Sequence, residues 1–119
     1  EGRMKRQRAE REGRKGEWRA AAWLKLKGWQ VLGTRIRTPR GEIDLVARRG
    51  SIVAFVEVKW RQRAADLDHA IDAWRLRRVA DAAECVAHEF ARNGEDIRID
   101  VILLAPGALP RHIVNAWQP

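Results

Sequence analysis

The chain has 119 residues, 45% of them hydrophobic, which is one domain in size with enough apolar mass for a core; its longest apolar runs, Ile52 to Val56 and Val101 to Ala105, are too short to span a bilayer. A single cysteine, Cys85, excludes an intramolecular disulfide, and the charged N-terminus carries no apolar signal segment, so a cytoplasmic protein is expected. The net charge of +8 favours a polyanion, and it is concentrated: residues 1–63 hold 18 Lys+Arg against 7 Asp+Glu, residues 64–119 hold 6 against 9.

Glu1 to Lys15 holds seven Lys+Arg and almost nothing apolar, and reads as a basic mobile arm (1–15) ahead of a single domain (16–119). From Glu17 to Lys27 good helix formers with Trp18, Ala21, Ala22, Trp23, Leu24 and Leu26 predict a helix ended by Gly28. Trp18, Trp23 and Trp29 sit among apolar neighbours and are expected in the core. Trp29 to Ile36 reads as a strand closed by the Pro39–Gly41 region. Glu42 to Arg48 and Ile52 to Trp60 are rich in Ile, Val, Leu and Phe and flank Gly50–Ser51, which suits a two-residue type II′ hairpin. Ala64 to His69 reads as a loop, with Asp66 and Asp68 as candidate N-caps.

A long helix is predicted from about Ala70 to Arg92. Leu76, Val79, Ala80, Ala83, Val86, Ala87 and Phe90 form one apolar stripe, and Ile71, Trp74, Ala82 and Cys85 a second on roughly the opposite side. Arg98 to Leu104 is a nearly continuous apolar strand, and His112 to Trp117 a short edge segment. The order α-β-β-β-α-β predicts an α/β sandwich.

The chemistry lies in the hairpin. With Gly50 and Ser51 as the loop, Arg49 pairs with Ile52, Asp44 faces Glu57 and Glu42 faces Lys59. Opposed residues of an antiparallel pair point to one side with Cβ atoms about 5 Å apart, so Glu42, Asp44, Glu57 and Lys59 share a face. Ile43, Leu45 and Ala47, with Val58, Val56 and Ala54, form the other, apolar face. A loop two residues longer keeps the acids on one face; a one-residue slip separates them. Two carboxylates at about 5 Å repel by roughly 3 kcal/mol at an effective dielectric near 20, and a hard divalent cation is the natural compensation. Surface salt bridges on a solvated strand are the competing reading.

In this arrangement Asp44 and Glu57, with the Val58 carbonyl, can hold Mg²⁺ or Mn²⁺. Lys59 can orient water and stabilise charge on a phosphate, and Glu17 on the first helix can act as a further ligand or base. Arg37, Arg40, Arg61 and Arg63 near the open end, and Arg75 and Arg78 on the long helix, are candidate phosphate contacts, against a reading as ordinary exposed arginines. Trp60 is assigned to packing, Trp74 to a dimer contact, and Asp100 to pairing with an arginine; Cys85 is read as an inert helical thiol.

Asp44 followed by Glu57-Val58-Lys59 resembles the PD-(D/E)xK motif of the restriction-endonuclease-like fold. The stretches GEIDLVARRG and FVEVKWR, with KGEWRAAAWLKLKG before them and RIDVILL and VNAW after, resemble more closely the YraN-type family of predicted endonucleases, distantly similar to archaeal Holliday-junction resolvases. The resemblance implies a central mixed β-sheet flanked by helices and a homodimer. It also implies Asp44, Glu57 and Glu17 as metal ligands, Lys59 as the catalytic lysine, and DNA, branched DNA included, as substrate. Ile43 replaces the motif's proline, Arg75 the family's usual lysine, and Arg35 its usual asparagine. The functional expectation is a metal-dependent DNA endonuclease. The alternatives are a noncatalytic nucleic-acid-binding module and an accessory subunit of a repair or recombination complex.

Overall fold

The computed structural model describes residues 16–62 and 73–117. The basic arm at 1–15, Arg63, the Asp66 and Asp68 caps, Ile71 and the predicted start of the long helix lie outside the described residues. Helix α1 covers residues 16–26, followed by β1 (Gln30–Thr38), β2 (Gly41–Arg49), β3 (Ile52–Trp60), α2 (Ala73–Phe90), β4 (Asp96–Leu104) and β5 (Arg111–Ile113). One five-stranded sheet runs in the order β1-β2-β3-β4-β5. β3 and β4 are parallel, bridged by the α2 crossover, and all other neighbours are antiparallel. The result is the expected mixed sheet with helices on its two faces. Among the described residues no helix is long and apolar enough to cross a membrane.

Each helix seals one face of the sheet. Ala20, Leu24 and Trp29 pack with Leu45, Ala47, Ala54, Val56, Ile102 and Leu104 on the α1 side. On the α2 side, Leu76, Val79, Ala82, Ala83 and Val86 cover Val46, Val53, Phe55, Ile99, Val101 and Leu103. This double coverage explains why β3 and β4 read as continuous apolar runs rather than alternating ones. The two stripes drawn on the long helix are corrected accordingly. Ala82 shares the single buried face, whereas Trp74 is 61% exposed.

Trp18 is the second correction. It is 72% exposed, Trp23 is half-buried, and of the three tryptophans assigned to the core only Trp29 is fully sealed. Apolar spacing on a short helix marks which residues could be buried, but the sheet covers only one side of α1.

The hairpin keeps the expected register from Arg49↔Ile52 to Leu45↔Val56. Gly50 has φ 61° while Ser51 is not left-handed, which matches the II′ pattern of one positive φ at the first loop residue. Beyond Leu45 and Val56, β2 continues its pairing with β1 and β3 with β4, but among the described residues no further β2–β3 pair forms. The two strands part, and the acids sit where they part.

The apolar face is also less regular than expected. Leu45 and Ala47 lie on the α1 side, but Ile43 is buried in the α2-side cluster. The neighbouring strand is irregular as well. β1 shifts register between Val31 and Gly33, and Arg35 adopts a left-handed φ of 50°. A residue in that conformation breaks strand alternation and coils the β1–β2 ribbon.

At the far edge, Asp100 is fully buried, as a partner of Arg98 in a two-oxygen contact at 3.1 and 2.8 Å. Asp100 also bonds His112 at 2.8 Å and accepts the Asn115 N–H at 2.9 Å. It therefore ties β5 to β4. Burial opposes its ionisation, but the bonds from His112, Arg98 and Asn115 together hold its carboxyl below the usual range.

Candidate metal centre

The parting of β2 and β3 opens a cleft of about 410 Å³ between the start of α1 and the first turns of α2. Its wall includes Glu17, Glu42, Asp44, Glu57, Val58, Lys59, Arg61, Arg75 and Arg78. Four elements far apart in the chain thus converge on the acidic pair.

Asp44 is the centre of the arrangement. Its Oδ2 accepts the backbone N–H of Val58 at 2.8 Å, so a side chain takes the place a ladder carbonyl would otherwise fill. Its carboxyl also shares a hydrogen bond with Glu57. Burial and the facing Glu57 charge push the Asp44 pKa from the ordinary 3.8 up to about 7, against the pull of the Val58 N–H. Glu57 is raised as well, first by burial, with Arg75 and the Asp44 hydrogen bond pulling the other way. The two carboxyls titrate as a coupled pair, both held above their ordinary range by burial.

Lys59 is only 5% exposed, and its Nζ lies 2.9 Å from Glu57 Oε1. A buried ammonium requires such a partner. Arg75 approaches the same Glu57 oxygen at 3.7 Å. Glu17 comes from α1, where Arg35 Nε donates to its Oε2 at 2.7 Å. Glu17, Glu42 and Asp44 each bring a carboxylate oxygen within 4.8 Å of the other two. Hard oxygen donors at that spacing, with the further carboxyl of Glu57 beside Asp44, suit a small divalent cation.

The sequence-predicted residues divide three ways. Asp44, Glu57, Val58, Lys59 and Glu17 are brought together, though the contact Val58 makes with Asp44 is through its N–H. Arg61, Arg75 and Arg78 line the cleft, Arg78 over the Trp74 ring at 5.0 Å. Arg37 and Arg40 do not line it. They sit at the exposed β1–β2 turn, Arg37 3.7 Å from Glu42. Two participants were missed. Glu42 belongs to the acidic cluster, a role its place two residues before Asp44 on the same face would have suggested. Arg35 clasps Glu17, and nothing local in the sequence announces a contact across 18 positions.

Comparison with known proteins places this geometry in a family. The model of "Uncharacterised protein family UPF0102" matches residues 16–104, which include every cleft residue named above. A UPF0102 protein of Erythrobacter litoralis is 71% identical over 98% of this chain and 100% of its own length. One from Sphingopyxis alaskensis is 66% identical over the same shares, and one from Rhizorhabdus wittichii 54% identical over 92% of this chain and 93% of its own. The chain belongs to the UPF0102 family, the one its GEIDL and VEVK stretches resemble.

Proposed function

We propose that this chain is a metal-dependent DNA endonuclease that hydrolyses phosphodiester bonds in the cleft between α1 and α2. The observation that carries the reading is the Asp44–Glu57 pair. Two desolvated carboxyls, both of raised pKa, meet at the point where the sheet opens, with a buried lysine on one of them. A fold that only needed a stable strand pair would be expected to place apolar or opposite charges there.

Asp44, Glu57 and Glu17, with Glu42 as a fourth carboxylate, would hold Mg²⁺ or Mn²⁺. Bound there, the ion would polarise a phosphoryl oxygen and make water acidic enough to attack. Lys59, held by Glu57, presents a cation to the charge that develops on the phosphate. Arg61, Arg75 and Arg78 on the cleft wall neutralise flanking phosphates, and the concentration of positive charge in the first 63 residues draws the polyanion in. The lone, half-buried free thiol of Cys85 accords with a reducing cytoplasm.

The test is a cleavage panel of duplex, flap, single-stranded and four-way-junction DNA with Mg²⁺. Asp44→Ala and Glu57→Ala should each abolish cutting while DNA binding survives. Cleavage that persists undiminished in both variants would refute the proposal.

A further inference from the structure

A second groove, about 240 Å³, lies beside the carboxylate cleft, between α1 and the segment joining β4 to β5. Its wall is aromatic and apolar: Trp18, Trp23, Leu26, Trp60, Leu104 and Pro110, with Arg19 as the charged residue among the groove's lining. Trp18 and Leu26 are exposed at 72% and 81%, so a large part of this wall faces solvent. Cations lie over its rings. Arg19 Cζ is 5.2 Å from the Trp60 centroid, and Lys27 Nζ is 4.7 Å from that of Trp23. Trp60 lines the groove and the cleft alike, so the two adjoin at that residue.

We propose that this groove stacks the unpaired bases of a single-stranded stretch of DNA whose backbone passes into the carboxylate cleft; the inference rests on the endonuclease reading. Indole faces with interleaved cations are the chemistry that holds successive bases, and only a strand without a partner offers its base faces to them. Trp74, 61% exposed on the opposite wall of the cleft, extends the aromatic surface past the acids. The substrate class is therefore DNA with a single-stranded segment next to the cut, such as a flap, in preference to continuous duplex or a fully paired junction.

Charge argues against a second copy of the chain as occupant. A two-fold contact sets a patch against a copy of itself, so the positive charge of Arg19 and the neighbouring exposed Lys25 and Lys27 would face the same positive charge. An anionic membrane surface matches the charge but gives no reason for the groove to adjoin a cluster of carboxylates.

The experiment measures binding of the full chain, in EDTA so that nothing is cut, to a fluorescent oligo(dT) and to a blunt duplex of equal length. Trp18→Ala should weaken oligo(dT) binding at least about fivefold and leave duplex binding within about twofold, and Trp18→Phe should restore most of the loss. Val114→Ser removes exposed apolar surface that lines neither groove nor cleft and should leave oligo(dT) binding nearly unchanged. Equal loss for duplex and single strand, no loss in Trp18→Ala, or a Val114→Ser defect as large as that of Trp18→Ala would overturn the proposal. So would loss of a concentration-dependent dimer, or of binding to phosphatidylserine vesicles, as the main consequence of Trp18→Ala. A separate Mg²⁺ cleavage assay bears on the endonuclease reading alone. Selective single-strand binding without cutting would leave the groove assignment standing and remove the catalytic one.

Discussion

Replacing Asp44 by asparagine should make the metal-free protein more stable, because the site is built against the fold. In the folded chain Asp44 titrates near 7 rather than 3.8, so the folded state holds a proton that the unfolded chain gives up at lower pH. The sign follows from linkage. A raised folded pKa contributes most to stability below the unfolded value, and that contribution is lost as pH rises from about 4 through 7. At 1.36 kcal/mol per pKa unit, the lift from 3.8 to about 7 amounts to at most about 4 kcal/mol at pH 8. Asp44 and Glu57 titrate together, so removing one partner recovers only part of that, about 2 kcal/mol. Asparagine keeps an oxygen for the Val58 N–H and can donate an amide hydrogen to Glu57, without charge. Thermal melts in EDTA should place the variant roughly 8 °C above wild type at pH 8, with the gap closing toward pH 4. A variant no more stable than wild type at pH 8, or a gap that widens on acidification, would mean that the two carboxyls do not strain the fold.

Mg²⁺ or Mn²⁺ should raise the melting temperature of wild type in proportion to the logarithm of its concentration and leave Asp44→Asn nearly unmoved, which differential scanning fluorimetry would read directly. Lys59→Met should reduce cleavage at least about 100-fold while DNA affinity in EDTA stays within about threefold; an equal fall in both would make Lys59 a binding residue only. Asp100→Ala should cost about 3 kcal/mol or more in urea unfolding, since it leaves Arg98 unpaired beside the core. Because the folded Asp100 pKa is depressed, its contribution is present above the ordinary carboxylate range and is lost as pH falls through the folded value, so the variant and wild type should converge below about pH 4. Gly50→Ala should cost about 1 kcal/mol through φ 61° alone, because a Cβ there meets nothing within 4 Å.

Local pattern was sufficient for the secondary elements, the hairpin register and the pairing of Asp100 with an arginine. These depend on neighbours in the chain: the Gly50–Ser51 turn sets the β2–β3 register, and alternation then decides which side each residue faces. Family membership was equally legible, because the GEIDL and VEVK stretches are contiguous segments. The limits of local pattern show at Trp18 and Ile43. Nothing on α1 itself says which of its apolar sides the sheet will cover, and Ile43 changes side next to a β1 that carries a register shift and a left-handed Arg35.

By itself the sequence determined that Asp44, Glu57 and Lys59 share a strand face, since a tight turn and a two-residue period are local geometry. Only the tertiary structure decided what surrounds them. The separation of β2 from β3, the arrival of Glu17 and Arg75 on two helices, and the meeting of groove and cleft at Trp60 all depend on distant segments packing together. Desolvation is a property of that packing, and it is what turns three charged side chains on a hairpin into a site whose carboxyls are held above their ordinary pKa.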